Sequence, residues 1–201
     1  MSDRETMEVY AKAAGEYAEK FARIDDIDVD QFSDLKALFA LLPDGGLVLD
    51  YGCGPGQWAA KIRDAGYAVE AVDASPEMAD LAKAAFDLDV TVGTFETLDA
   101  VAKYDGIWAN FSLLHAPKSE FPAHLRRIKT ALKPQGALHL GLKLGSGEAR
   151  DHLGRFYSYY QPDELMELLE NAGFTVTRQR TGSGKGLAGT EDTFVILTAH
   201  G

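Results

Sequence analysis

The stretch LVLDYGCGPGQW, residues 47–58, decides the fold of this chain. A short apolar run follows a turn-rich segment and ends in Asp50, which predicts a buried strand. Gly52, Gly54 and Gly56 then stand two apart, and the residues after them have helical periodicity. Without Cβ atoms, the backbone can adopt positive φ and approach a ligand beside the free N–H groups of a helix start. The stretch therefore predicts a strand, a ligand-binding bend and a helix.

A second apolar run, residues 68–72, also ends in an acid, Asp73. In a strand-loop-helix-strand unit this position lies beside the first loop, and an acid there suits a ribose diol. The dinucleotide fingerprint G-x-G-x-x-G requires a third glycine where this chain has Gln57, and its strand usually ends in an apolar residue rather than Asp50. The pattern thus predicts a nucleotide-like ligand and disfavours an NAD-dependent oxidoreductase.

The segment from Asp50 to Gly56, DYGCGPG, resembles the first motif of class I S-adenosylmethionine (SAM) dependent methyltransferases, D-x-G-x-G-x-G. The resemblance extends over roughly residues 45–199. It implies an α/β fold, a Rossmann-like three-layer sandwich with a seven-stranded, mostly parallel sheet and an antiparallel last strand. We expect residues 1–42 to form an N-terminal helical cap and residues 43–201 a single SAM-binding methyltransferase domain with an insert at 143–161.

The resemblance also implies where the cofactor SAM, and its product S-adenosylhomocysteine, would bind. The bend takes the methionine end, Asp73 the ribose hydroxyls, and the residues just after Asp73 flank the adenine. Thr94 stands where the family often has an acid for the adenine, which leaves Thr94, Phe95 and Glu96 as alternatives for that contact. The cofactor-binding candidates are Tyr10, Tyr17, Asp50, Gly52, Cys53, Gly54, Gly56, Trp58, Asp73, Ala74, Ser75, Met78, Thr94, Phe95, Glu96, Asn110, Phe111 and Leu114.

Tyr10 and Tyr17 belong to one apolar face of the first predicted helix. Packing of this face against the main domain is one interpretation. The other comes from the resemblance, in which an N-terminal helix closes over the cofactor and its tyrosines reach the pocket.

The loop at residues 110–117 follows the fourth predicted strand and contains the candidate catalytic residue, His115. Ligands of open α/β sheets bind outside the carboxyl ends of the strands, so this loop should face the transferable methyl group. An imidazole with a near-neutral pKa suits proton removal or substrate orientation. A purely structural histidine is the alternative.

The insert, residues 143–161, also leaves the ligand side of the sheet and mixes cations with tyrosines. Its cations could bind an anionic group, and its aromatic rings could stack on a planar or cationic one. A solvated connection whose rings pack on the core is the alternative. The substrate-binding candidates are Lys143, Arg150, Arg155, Tyr157 and Tyr160.

Composition narrows the class of partner. The 201 residues carry a net charge of −11, which argues against nucleic acid. No apolar run approaches the roughly 20 residues that span a bilayer, and the single cysteine permits no internal disulfide, so we expect a cytoplasmic protein without a membrane partner. No spacing of the histidines predicts a metal site. We expect a monomer or homodimer.

A methyltransferase acting on an O or N nucleophile of a small molecule is the first hypothesis. The methyl group of a sulfonium is already activated, so the protein mainly holds the nucleophile in line and excludes water. The alternative is a SAM-binding or S-adenosylhomocysteine-binding protein of the same fold without catalysis. Tyrosines that plug the pocket would favour this alternative, and an open cavity would favour the enzyme.

Overall fold

The computed structural model describes residues 3–21 and 29–201. Helices and strands alternate through most of this part of the chain. The elements are α1 (Arg4–Phe21), α2 (Val29–Phe39), β1 (Leu47–Tyr51), α3 (Gln57–Asp64), β2 (Ala68–Asp73), α4 (Pro76–Phe86), β3 (Val90–Val92), β4 (Tyr104–Asn110), α5 (Phe121–Ala131), β5 (Leu132–Lys143), β6 (Glu148–Arg150), β7 (Phe156–Ser158), α6 (Pro162–Asn171), β8 (Thr175–Lys185) and β9 (Glu191–His200).

Seven strands form one sheet in the order β3-β2-β1-β4-β5-β9-β8. β1 pairs in parallel with both β2 and β4, whereas β9 pairs antiparallel with β5 and β8. The predicted seven-stranded, mostly parallel α/β sheet with an antiparallel last strand is confirmed. The strand order reverses between β1 and β4, so their carboxyl ends border the crevice where such sheets bind ligands.

Alternation along β1 assigns its side chains to two different cores. Leu49 and Tyr51 belong to the cluster that contains the buried faces of α5 and α6. Val48 belongs to the opposite cluster, with residues of α2 and α3. Because successive strand residues point to opposite faces, both sides of the sheet are covered and three layers result.

The carboxyl-terminal hairpin is longer than the sequence predicts. The alternation of residues 174–179 and 193–198 predicts two strands with a glycine-rich connection, but β8 extends to Lys185 and β9 begins at Glu191. Gly182 lies within β8 beside the ring of Phe194. A Cβ there would lie 2.6 Å from Cζ of Phe194, so only glycine leaves room for that ring. The hairpin therefore reaches from the sheet towards the ligand side.

Two further segments differ from their expected form. The sequence KPQG at residues 133–136 predicts a turn, but these residues lie within β5, where Gln135 has φ of 65° and donates its N–H to the carbonyl of Gly201 at 2.8 Å. The insert contains an antiparallel ribbon, β6 paired with β7. Residues 133–136 fall between two paired positions of β5, because its register with β4 passes from Leu132 opposite Tyr104 to Ala137 opposite Gly106. The ribbon forms by backbone pairing, which the side-chain pattern alone does not reveal.

Candidate active site

The bend after β1 is held in shape by the neighbouring strand. The N–H groups of Gly52 and Cys53 both donate to the carbonyl of Val72, at 2.8 and 3.0 Å. Gly52 has φ of 81°, and a Cβ there would lie 2.4 Å from Cβ of Ser112. Only glycine fits this position, because any side chain would be strained and would collide with the loop after β4.

Asp73 links the end of β2 to this bend. One carboxylate oxygen accepts the N–H of Gly54 at 2.7 Å, and the other accepts the N–H of Ser75 at 2.9 Å. Burial raises the pKa of Asp73, and these backbone donors oppose that shift. The backbone N–H of Ala74 is a third such donor, and a carboxylate has about four lone-pair sites, so acceptor capacity remains for a hydroxyl group of a ligand.

Asp50, at the end of β1, lies beneath the bend and does not line the cavity described below. It is 2% exposed, and burial raises its pKa to about 8, although the backbone N–H of Ala59 opposes the shift. Its contact with the start of α3 assigns it to the scaffold of the bend rather than to direct contact with a ligand.

The buried carboxyl of Asp50 should make stability depend on pH. Its folded pKa lies above the ordinary value of about 4, so between about pH 4 and 8 the folded state holds more protons and the unfolding free energy falls as pH rises. The Asp50→Asn side chain cannot ionise. Its unfolding free energy relative to that of the parent should therefore rise by about 1–3 kcal/mol when the pH is raised from about 5 to about 8. Urea unfolding at both pH values measures this, and an equal difference at the two would contradict the buried ionisation.

A cavity of about 350 Å³ opens above the bend, at the carboxyl ends of β1, β2, β4 and β5. Its floor consists of the bend and the residues after β2, and its roof comes from α1 and the insert. The predicted site residues that line it are Tyr10, Gly52, Cys53, Gly54, Trp58, Asp73, Ala74, Met78, Phe95, Glu96, Asn110, Phe111, Leu114, His115, Lys143, Arg155 and Tyr157.

Three further cofactor candidates support the fold around the cavity without lining it. A Cβ on Gly56 would lie 2.9 Å from Cβ of Ala82, so this glycine permits close packing of α3 on α4. Ser75 caps α4, accepting the N–H of Met78 at 3.3 Å. Thr94 precedes a single 3₁₀ turn, Phe95–Thr97. Of the alternatives for the adenine contact, only Phe95 and Glu96 reach the cavity.

Two other candidates also differ from expectation, and a third is not described. The Arg150 guanidinium does not line the cavity; it forms two hydrogen bonds to the Asp3 carboxylate, at 2.7 and 2.8 Å, and so fastens the residue before α1 to β6. Tyr160 is fully buried against Phe121. The side chain of Tyr17 lies outside the described part of the structure, so its predicted lid role stays a prediction.

His115 and Tyr10 meet under the roof. Nδ1 of His115 donates to the carbonyl of Phe156 at 2.6 Å, because a carbonyl can only accept. Nε2 therefore carries the lone pair in the neutral ring and accepts the Tyr10 hydroxyl at 2.8 Å. Burial lowers the pKa of His115 to about 4, so the imidazole is neutral at physiological pH.

The two cations that line the roof are balanced by acids. Arg155 pairs with Asp151 at 2.7 Å, and a guanidinium nitrogen of Arg155 also donates to the Tyr10 hydroxyl at 3.3 Å. Lys143 pairs with Asp192 at 2.7 Å and lies 3.8 Å from the ring centre of Tyr157. The roof of the cavity therefore offers hydrogen-bond donors and aromatic rings without a large excess of positive charge.

Sequence reasoning missed two parts of the lining. The tip of the β8–β9 hairpin contributes Lys185 and Leu187, and the start of α1 contributes Thr6 and Met7. The glycine-rich stretch TGSGKG is typical of a plain connection between strands, but it belongs to the long β8–β9 hairpin that places Lys185 at the cavity. Cavity residues outside the predicted set are Asp3, Thr6, Met7, Gln57, Val72, Ser112, Ala116, Glu120, Gly184, Lys185, Gly186, Leu187, Asp192 and Phe194.

No helix in the described ranges has both the length and the apolar character to cross a bilayer.

Residues 24–179 match a family model described as a methyltransferase domain. An uncharacterized methyltransferase of Staphylococcus carnosus is 26% identical over 174 residues, covering 85% of this chain and 84% of the relative. A cypemycin N-terminal methyltransferase of a Streptomyces species is 39% identical over 102 residues, but these cover only 48% of this chain and 42% of the relative.

Among solved structures, the chain is similar to 1,6-didemethyltoxoflavin-N1-methyltransferase of Burkholderia thailandensis, with a TM-score of 0.74 and 25% identity. The match covers 100% of this chain and 90% of the other. That crystal structure contains 1,6-didemethyltoxoflavin and S-adenosylhomocysteine. A Methanosarcina mazei protein described as a SAM-dependent methyltransferase gives a TM-score of 0.72 at 19% identity, covering 81% and 95% of the two chains.

Proposed function

Since the chain belongs to the class I SAM-dependent methyltransferases, we propose that it methylates an oxygen or nitrogen nucleophile of a small, planar molecule. The observation that carries the proposal is the open cavity, which lies between the glycine bend and the side chains of Tyr10, His115 and Tyr157. Its volume of about 350 Å³ falls within the range of small-molecule sites, roughly 300–1,000 Å³. Tyrosines that left no space would have favoured a binding protein without catalysis.

The floor of the cavity suits SAM. Gly52 has no side chain to collide with the loop after β4, and Asp73 keeps acceptor capacity for the ribose. Phe95 and Glu96 line the cavity, and we assign the adenine to this part of it, where the Phe95 ring offers an apolar face. When bound, SAM supplies an activated methyl group on its sulfonium. The protein's own contribution is to bind, orient and exclude water.

The roof suits a planar acceptor. Tyr10 and Tyr157 offer aromatic faces to the chamber, and Arg155 and Lys143 fix them through cation–π contacts. Both cations are already paired with acids, so the acceptor need not be an anion. We assign α1, within the proposed cap at residues 1–42, and the insert at 143–161 as the two elements that enclose the acceptor.

Tyr10 and His115 can remove the acceptor's proton together. The Tyr10 hydroxyl occupies the lone pair of His115 at Nε2, so a proton reaches His115 through Tyr10. Tyr10 would take the proton from the nucleophile and release its own proton to Nε2, while Nδ1 keeps its bond to Phe156. A histidine of low pKa is a weak base, which suits a nucleophile that becomes strongly acidic on methylation, such as a hydroxyl or a ring nitrogen.

The low pKa of His115 predicts an unusual pH profile. A histidine with the ordinary pKa of about 6.5 would give a rate that rises through neutral pH as the ring loses its proton. Because burial lowers this pKa to about 4, the neutral ring persists, and kcat at saturating SAM should stay flat between about pH 5.5 and 8. An inflection near 6.5 that disappears in His115→Gln would contradict a neutral buried ring.

Turnover with labelled SAM across phenols, ring-nitrogen heterocycles and primary amines tests the proposed function. We expect methylation of at least one of the first two classes. Calorimetric binding of S-adenosylhomocysteine without turnover of any acceptor would instead favour the binding protein, and no binding at millimolar ligand would exclude both functions.

A further inference from the structure

A second constellation lies at the wall of the cavity, away from the roof. Glu96 belongs to the 3₁₀ turn after β3, whereas Glu120 and His124 stand four residues apart at the start of α5. One ligand atom from each side chain lies within 4.8 Å of the other two. Three side chains from two distant segments therefore point to one place.

The His124 side chain is buried and makes no hydrogen bond within the described residues. It is 2% exposed, and within the described ranges neither ring nitrogen has a hydrogen-bond partner. Nε2 lies 3.8 Å from a carboxylate oxygen of Glu120, which is too far for a hydrogen bond. A buried polar group without a partner is costly, so such an imidazole calls for a ligand between it and the facing carboxylates.

The spacing of these atoms suits a shared metal ion. Ligand atoms about 2.1 Å from a tetrahedral Zn²⁺ lie about 3.4 Å apart, and two such atoms cannot exceed about 4.2 Å. The 3.8 Å between His124 and Glu120 falls inside this window. Small rotations of the Glu96 and Glu120 side chains would bring the remaining separations, at most 4.8 Å, to the same range.

We propose that Glu96, Glu120 and His124 bind one divalent transition-metal ion. One imidazole nitrogen with two carboxylates suits Zn²⁺ or Mn²⁺ better than Ca²⁺ or Mg²⁺, which prefer oxygen ligands alone. Glu96 and Glu120 both line the cavity, so the remaining coordination position faces it. The histidine spacing predicted no metal site, because two of the three ligands are glutamates and one comes from a separate segment.

The ion would join the turn after β3 to the start of α5. Glu96 follows Phe95, whose ring packs edge-on against His124 with 5.7 Å between the ring centres. Binding would therefore fix the wall of the cavity next to the proposed adenine position. It would also neutralise two carboxylates in a chain of net charge −11.

Calorimetry with ZnCl₂ or MnCl₂ alone, on the metal-stripped protein without SAM, tests this site. We expect one equivalent to bind, Co²⁺ to give the visible absorption of a four-coordinate site, and the metal to raise Tm. His124→Ala, Glu96→Gln and Glu120→Gln should each weaken binding by about 10-fold or more. Glu167→Gln and His152→Ala, both at exposed positions, are the matched controls and should bind as the parent does.

Two results would overturn the proposal. The first is the absence of stoichiometric binding by either metal. The second is binding that the three ligand variants leave unchanged, since the ion would then lie elsewhere. Circular dichroism of each variant shows that loss of binding is not loss of folding. Binding of the metal alone is independent of methyl transfer, so failure of one proposal is distinguishable from failure of the other.

Discussion

Asp73→Ala should weaken binding of S-adenosylhomocysteine by about 1–3 kcal/mol, or roughly 5- to 150-fold. The variant removes the carboxylate that we expect to accept a ribose hydroxyl. It also removes the acceptor of the Gly54 and Ser75 N–H groups, so the bend loses its attachment to β2. Isothermal titration calorimetry at constant pH measures the change.

Two companion variants separate these effects. Asp73→Asn keeps one acceptor oxygen and should fall between the parent and Asp73→Ala. Asp80→Ala removes an exposed acid of the nearby helix α4 and should bind as the parent does. Parent-like affinity in Asp73→Ala would show that the ribose is held elsewhere.

His115→Ala should slow turnover by about 10²- to 10⁴-fold while leaving the affinity for S-adenosylhomocysteine unchanged. The imidazole is the final proton acceptor in the proposed pair, and its contacts are to Tyr10 and Phe156 rather than to the glycine bend. Single-turnover kinetics with SAM and the acceptor found in the screen measure the chemical step directly.

Tyr10→Phe provides the sharper comparison, because it keeps the ring and removes only the hydroxyl that bonds to Nε2. If the proton passes through Tyr10, both variants lose a similar factor, and the double variant loses little more. His152→Ala, at an exposed position of the insert, is the control. A near-normal rate for His115→Ala would show that the histidine only holds Tyr10 and Phe156 in place and does not accept the proton.

The floor of the site was predictable because it depends on local sequence. Glycines that need positive φ, and an acid at the end of a buried strand, leave a pattern within a few residues. The seven-stranded, mostly parallel sheet with an antiparallel last strand was predicted by resemblance to a family, and it is confirmed. Asp50 shows the limit of such reasoning, since the sequence indicates a strand end but not that the carboxyl lies beneath the bend.

The roof was only partly predictable because it depends on contacts between distant segments. Tyr10 and Arg155 were singled out, but nothing in their local sequence shows that they meet. Lys185 was missed for a related reason, as the length of the β8–β9 hairpin depends on cross-strand pairing. Glu96 and His124 likewise come together only in the folded chain.

The attachment of α1 to the insert affects the order in which parts of the protein can fold during synthesis. Asp3 and Arg150 are 147 residues apart in sequence, so their ion pair joins the first helix to a segment that leaves the ribosome much later. Closing a loop of this length costs conformational entropy, and the contact cannot form before Arg150 has been synthesised. During synthesis, the nucleotide half of the sheet can assemble first, and the acceptor chamber closes only after β7 has emerged.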